Sequence, residues 1–129
     1  MSHVVVLKQS VKDIGALKNA CPKMGLVFHE GRKRFHSYTD GDCDHAIGVK
    51  GKKGAYEIGV KKVGDEYKLV FDPYNGGNGL IDAAGKDLSK LMMYYNKEAA
   101  WSEIQCLAAA EGLSVCETVE NGELVVKLM

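Results

Sequence analysis

The stretch Ala55 to Pro73, AYEIGVKKVGDEYKLVFDP, constrains the chain most, because it reads as a β-hairpin around which the other segments must pack. In its first arm Tyr56, Ile58 and Val60 alternate with Glu57, Gly59 and Lys61. In its second arm Tyr67, Leu69 and Phe71 alternate with Lys68, Val70 and Asp72. A period of two marks strands with one buried face. Gly64, in the turn Val63-Gly64-Asp65-Glu66, can take the positive φ of a tight hairpin. Pro73 has no N–H to offer a ladder and ends the second strand. A lone hairpin is marginal in water, so the rest of the chain must supply further strands and a helix layer.

Both are legible. His3 to Leu7 (HVVVL) reads as a first strand, rich in β-branched residues. Ser10 as N-cap, with Asp13 as a weak capping-box partner, predicts a helix from Val11 to Cys21. Its buried stripe is Val11, Ile14, Leu17 and Cys21, and Pro22 and Gly25 stop it. Leu26-Val27-Phe28 and Arg34 to Tyr38 read as short strands around the turn Glu30-Gly31. Asp40-Gly41-Asp42 reads as a loop, His45 to Val49 as a strand, Gly51 to Gly54 as a turn and Tyr74 to Gly79 as a flexible loop. Leu80 to Tyr95 is a predicted helix with the apolar stripe Ile81, Ala84, Leu88, Leu91, Met92 and Tyr95, weakened by Gly85 and broken at Asn96. A further helix, Lys97 to Glu111, would bury Ala100, Trp101, Ile104 and Ala108 and end at Gly112. Leu113 to Val119 and Leu124 to Leu128 form a last hairpin across Asn121-Gly122.

The order β, α, several β, α, α, β, β predicts an α+β fold: a mostly antiparallel sheet of about six to seven strands with three helices on one face. The 129 residues fit a single domain, 1–129. Lys+Arg and Asp+Glu both number 17, which argues against a uniformly basic nucleic-acid binder. No apolar run approaches the roughly 18 residues of a membrane span, and the run near Met1 is too short for a secretory signal. The expected compartment is the cytoplasm. Cys21, Cys43, Cys106 and Cys116 form no CxxC pair and are expected as free thiols, Cys21 and Cys106 on apolar helix faces.

The ordered pattern resembles a family of unknown function, the hypothetical chloroplast open reading frame thirty-five family of cyanobacteria, plastids, other bacteria and tailed phages. Met1-Ser2-His3, Lys12-Asp13 and Ala16-Leu17-Lys18 follow its MSHF and K-D-L-x-A-L-K. Ala55-Tyr56-Glu57-Ile58-Gly59-Val60 follows G-Y-D-I-G-F, and Tyr67-Lys68-Leu69-Val70-Phe71-Asp72 follows Y-x-L-V-x-D. Tyr94-Tyr95 through Gly112-Leu113 to Gly122 follows its R-Y-A-Y helix and final hairpin. The family's aromatic pair after the strand Asp is here Pro73-Tyr74, and the segment 32–53 matches poorly. The resemblance implies no activity and no catalytic residues, and is consistent with a phage origin.

His29, His36, Cys43 and His45 are all competent metal ligands that could converge at one sheet edge, although their spacing matches no established zinc signature. Cys43 with His45 is the one local thiol–imidazole pair, with no identifiable orienting acid. Asp40-Gly41-Asp42-Cys43-Asp44 opens like a calcium loop, but His45 and Gly51 occupy the places that need Gly and Glu. Asn75-Gly76-Gly77-Asn78-Gly79 runs from strand to helix, where a phosphate could be cradled, but it lacks the Walker Lys-Ser/Thr.

Charge is polarised. Over 32–62 eight cations, among them Arg32, Lys33, Arg34, Lys50, Lys52 and Lys53, face four acids. From Glu98 onward Lys127 alone faces six acids. A basic turn cluster can contact phosphates, with Phe35, Tyr38 and Tyr56 available for stacking. Lysines at turns also simply solvate a surface and protect sheet edges. The sequence therefore points to a small non-catalytic binding or adaptor domain, with another protein as partner and no cofactor. A nucleic-acid-associated protein using the basic turns is the alternative, ahead of a metal protein or enzyme.

Overall fold

The computed structural model describes residues 4–38, 40–112, 115–120 and 123–128. Along the chain run β1 (Val5–Val6), α1 (Ile14–Lys23), β2 (Leu26–His29), β3 (Arg34–Phe35), β4 (Gly41–Asp42), β5 (His45–Val49), β6 (Ile58–Val63), β7 (Glu66–Phe71), α2 (Leu80–Ala84), α3 (Ser89–Glu111), β8 (Val115–Glu120) and β9 (Glu123–Leu128). The fold is α+β, with helices against a five-stranded antiparallel sheet in the order β1-β7-β6-β5-β2. β3 with β4, and β8 with β9, make separate two-stranded ribbons.

The central hairpin β6–β7 forms as its alternation predicts. Val63 pairs with Glu66 across a two-residue turn, and Gly64 takes φ 63°. Ile58, Val60, Leu69 and Phe71 point to the helix side, where they join Ile47, Leu17 and Cys21 of α1, Leu80 and Ala84 of α2, and Leu91, Met92 and Tyr95 of α3. The opposite face carries a smaller core of Phe35, Cys43, Ala46 and Val70. Gly59 lies under the Phe35 ring: a β-carbon there would stand 2.5 Å from Cδ1. The glycine thus makes room for the aromatic side chain that docks the β3–β4 ribbon.

Several boundaries differ from the sequence reading. Ser10 is not the cap of α1, because Val11 is held in an antiparallel bridge to Tyr67, its N–H donating to the Tyr67 carbonyl at 2.8 Å. Asp13 caps the helix instead, its Oδ1 accepting from the Ala16 N–H at 3.0 Å. Pro22 does not stop α1. It removes one donor in the last turn, and the Met24 and Gly25 N–H groups close the helix on the carbonyls of Cys21 and Pro22 respectively. β2 pairs with β5, not with β3, and Gly41–Asp42 is the strand opposite Arg34–Phe35 rather than a loop.

The helix break also moves. Gly85 takes φ 88° and ψ 160°, and Asp87 and Leu88 lie in the left-handed region, so the long predicted helix ends at Ala84. Asn96 does not interrupt α3; its side chain is exposed and accepts a hydrogen bond from Gln9 Nε2 at 2.6 Å rather than competing for its own backbone. The 23 residues of α3 span about 34 Å, more than the roughly 20 Å of a six-residue strand. Only part of it can lie over the sheet. Ala108 is buried, Trp101 and Ile104 are half-buried, and Ala100 and Cys106 are exposed, contrary to the expected stripe. The last hairpin forms with Glu120 opposite Glu123; His3, Leu113 and the Asn121-Gly122 turn lie outside the described residues. No described helix is long and apolar enough to cross a membrane.

Candidate functional site

The sheet face opposite the helices carries a cleft of about 360 Å³. β2 and β5 contribute His29 and Gly48, the residue preceding β6 contributes Glu57, the chain around β3 contributes Arg32 and His36, and the turn after β5 brings Lys50, Lys52 and Lys53. Gly48 opens the floor. A β-carbon there would stand 3.1 Å from Glu57 Oε2 and 3.3 Å from His29 Nε2.

Glu57 is only 9% exposed and is held on several sides. Its Oε1 is ion-paired with the Arg32 guanidinium and accepts the His36 N–H at 2.8 Å. Its own N–H donates to the His36 carbonyl at 2.7 Å. His29 Nε2 stands 4.0 Å from Oε2. One buried carboxylate therefore fixes the chain around Arg32 and His36, while Lys50, Lys52 and Lys53 stay exposed around it. Four cations face one carboxylate, leaving the cleft net positive.

The cleft gathers Arg32, Lys50, Lys52 and Lys53 of the basic cluster. Lys33 turns to Asp44, at 3.9 Å, and Arg34 lies on β3 opposite Asp42, outside the lining.

The four candidate metal ligands do not converge. His29 sits in the cleft beside Glu57. His36 Nδ1 lies 3.2 Å from Asp40 Oδ1, and the Ser37 N–H, then His36, hold the Asp40 carboxyl below its usual range. Cys43 is buried in the smaller core, and its thiol donates to the Arg32 carbonyl at 3.2 Å. His45 faces the other side, its ring 5.3 Å from Phe28 and 5.8 Å from Tyr67, with Nδ1 accepting the Gly31 N–H at 2.9 Å. Cys43 lies before β5 and His45 is its first residue, so the two do not follow one regular strand, and the thiol enters the smaller core while the imidazole faces Phe28 and Tyr67. Burial also pushes the Cys43 thiol up, away from the thiolate a nucleophile requires. Among the described residues no group of three or more His, Cys, Asp or Glu side chains could hold a metal ion.

In the glycine-rich loop Asn75, Gly76, Gly77 and Asn78 all adopt left-handed conformations, making one left-handed turn before α2. Its polar groups bond inward: the Gly77 carbonyl accepts the Tyr56 N–H at 2.8 Å, and the Leu80 N–H returns to Gly76 and Gly77. The loop is a structural corner here, and the Lys52 side chain lies against Gly79.

Of the three aromatics expected to stack, Phe35 and Tyr56 are buried. Tyr56 stands edge-on to His36 at 5.6 Å, and burial, then the Asp72 charge, push its hydroxyl up. Tyr38 is exposed, and its neighbour is Tyr74, which the sequence reading passed over, at 5.7 Å between ring centroids. Asp72, fully buried, positions Tyr74 by accepting its N–H at 2.9 Å. The signal in the sequence was an aromatic residue directly after the strand-ending Pro73.

No protein-family model, curated protein or solved structure matches the chain.

Proposed function

We propose that this chain is a non-catalytic binding domain whose cationic cleft takes an anionic, phosphate-like group of its partner. The observation that carries the reading is the gathering of Arg32, Lys50, Lys52 and Lys53 around one cleft with Glu57 as the lone carboxylate of its lining. An arginine held by Glu57 and three lysines on one short turn act as an electrostatic trap. The non-catalytic part is supported by the separation of Cys43 from His45 and by the engagement of both in internal hydrogen bonds. Membership of the family that the chain resembles belongs to the same proposal and adds no activity to it.

The test is a titration with fluorescein-labelled inorganic polyphosphate at several salt concentrations. Saturable binding that weakens steeply with salt is expected, because each neutralised phosphate releases counterions. The triple variant Lys50→Glu/Lys52→Glu/Lys53→Glu should lose tenfold or more in affinity, on the order expected for three reversed contacts. Equal binding by wild type and variant would end the proposal.

A further inference from the structure

We propose that the exposed pair Tyr38–Tyr74 extends the cationic cleft into a track for single-stranded nucleic acid, the cations taking phosphates and the rings taking bases. This rests on the anion-binding reading of the cleft and names its ligand.

Tyr38 is 60% exposed and Tyr74 46%, yet the two rings touch in a T-shaped pair. Large aromatic surface left in water at a fixed place costs free energy unless something covers it. The pair is also joined to the cleft. His36 lines the cleft and packs edge-on against Tyr56. Tyr56 in turn is bonded to the left-handed loop, through its N–H to Gly77 and its hydroxyl to Asn78. Asp72 fixes the backbone of Tyr74 at the start of that loop, and Lys52 lies on Gly79 at its end. Three stretches, the chain around β3, the turn after β5 and the loop after β7, are thus tied together by the contacts of His36, Tyr56 and Lys52.

That combination selects among anions. A carboxylate-rich peptide would satisfy the lysines but has no flat face for the rings. In a duplex the base faces are already stacked and only phosphates are offered. A single strand offers both, and base–aromatic stacking is tolerant of sequence because every base has a π-face.

The experiment compares three labelled probes on the intact chain: an oligothymidylate of about eight nucleotides, an abasic deoxyribose-phosphate oligomer of equal length and charge, and a duplex of equal length. Thymidylate should bind about tenfold more tightly than the abasic strand. Tyr38→Ala and Tyr74→Ala should remove most of that advantage and leave abasic binding unchanged, while Tyr38→Phe and Tyr74→Phe should keep it. Equal affinity of wild type for thymidylate and abasic strands would overturn the stacking role while the anion-binding reading stands. Binding of neither strand would remove both. Tighter binding of the duplex would overturn the single-strand assignment. Both rings are exposed, and unchanged melting temperatures would show that the variants fold.

Discussion

Glu57 and Arg32 form an ion pair at the floor of the cleft, and the same Glu57 oxygen accepts the His36 N–H. Glu57 both organises the cations and opposes the anion they would bind. Glu57→Gln keeps the shape and removes the charge. Stability should fall by about 1–3 kcal/mol as charge-assisted hydrogen bonds are lost. Affinity for polyphosphate should rise several-fold, as expected when the one opposing charge is removed. Denaturant midpoints and titrations check the two arms separately; a drop in affinity would mean that positioning Arg32 outweighs the charge.

Phe35 and Gly59 are complementary in volume. Gly59→Ala places a methyl 2.5–2.6 Å from ring carbons of Phe35 and 2.9 Å from Val70 Cγ2. Overpacking of this kind should cost about 1–3 kcal/mol. Phe35→Ala should cost about 3–5 kcal/mol by emptying the smaller core. The double variant should be more stable than the sum of the two losses, which a double-mutant cycle would read directly.

Tyr95 ties α3 to the start of α1. Its hydroxyl accepts the N–H groups of Lys12 and Asp13 at 3.0 and 3.2 Å. Tyr95→Phe leaves both donors without this acceptor while keeping the buried ring. A loss of about 1–3 kcal/mol in chemical denaturation is expected.

The thiols should divide by exposure. Cys106 is exposed, whereas Cys21 and Cys43 are buried and their thiols are pushed up, Cys21 to about 12. Reaction with a thiol reagent at neutral pH should label Cys106 well before either. Cys21 also gives a signed pH dependence. Its raised native value means the folded state keeps a proton that the unfolded state releases near pH 9. Its contribution is therefore complete below about pH 9 and is lost as the pH rises towards about 12, at about 1.4 kcal/mol per pH unit. Cys21→Val should flatten this alkaline fall; an unchanged slope would reject it.

Aspartate 40 gives the acid counterpart. The Ser37 N–H and His36 lower its native value below the usual 3.8, so its contribution is complete above that pH and lost as the pH falls through the native value. Asp40→Asn should shift the acid limb of a thermal-melt profile and leave the neutral plateau almost unchanged, because the group is exposed.

By itself the sequence determined the α+β class, the central hairpin with its register, and the division of Ile58, Val60, Leu69 and Phe71 from Gly59 and Val70. These follow from side-chain period and turn chemistry, which act over a few residues. Tertiary structure decided what local rules leave degenerate. Val11 was claimed by Tyr67 rather than by the helix, because a backbone bridge satisfies both residues at once. The break at Gly85 rather than Asn96 depends on seating Leu88 in the core. The basic residues were visible as a cluster, but only the pairing of β2 with β5 and the buried Glu57 sorted Arg32, Lys50, Lys52 and Lys53 from Lys33 and Arg34. Tyr74, whose N–H is held by the buried Asp72, meets Tyr38 in a contact between residues 36 apart that no periodicity encodes. Residues two apart share a face on a regular strand, but Cys43 lies outside β5, so its thiol enters the smaller core while His45 faces Phe28 and Tyr67.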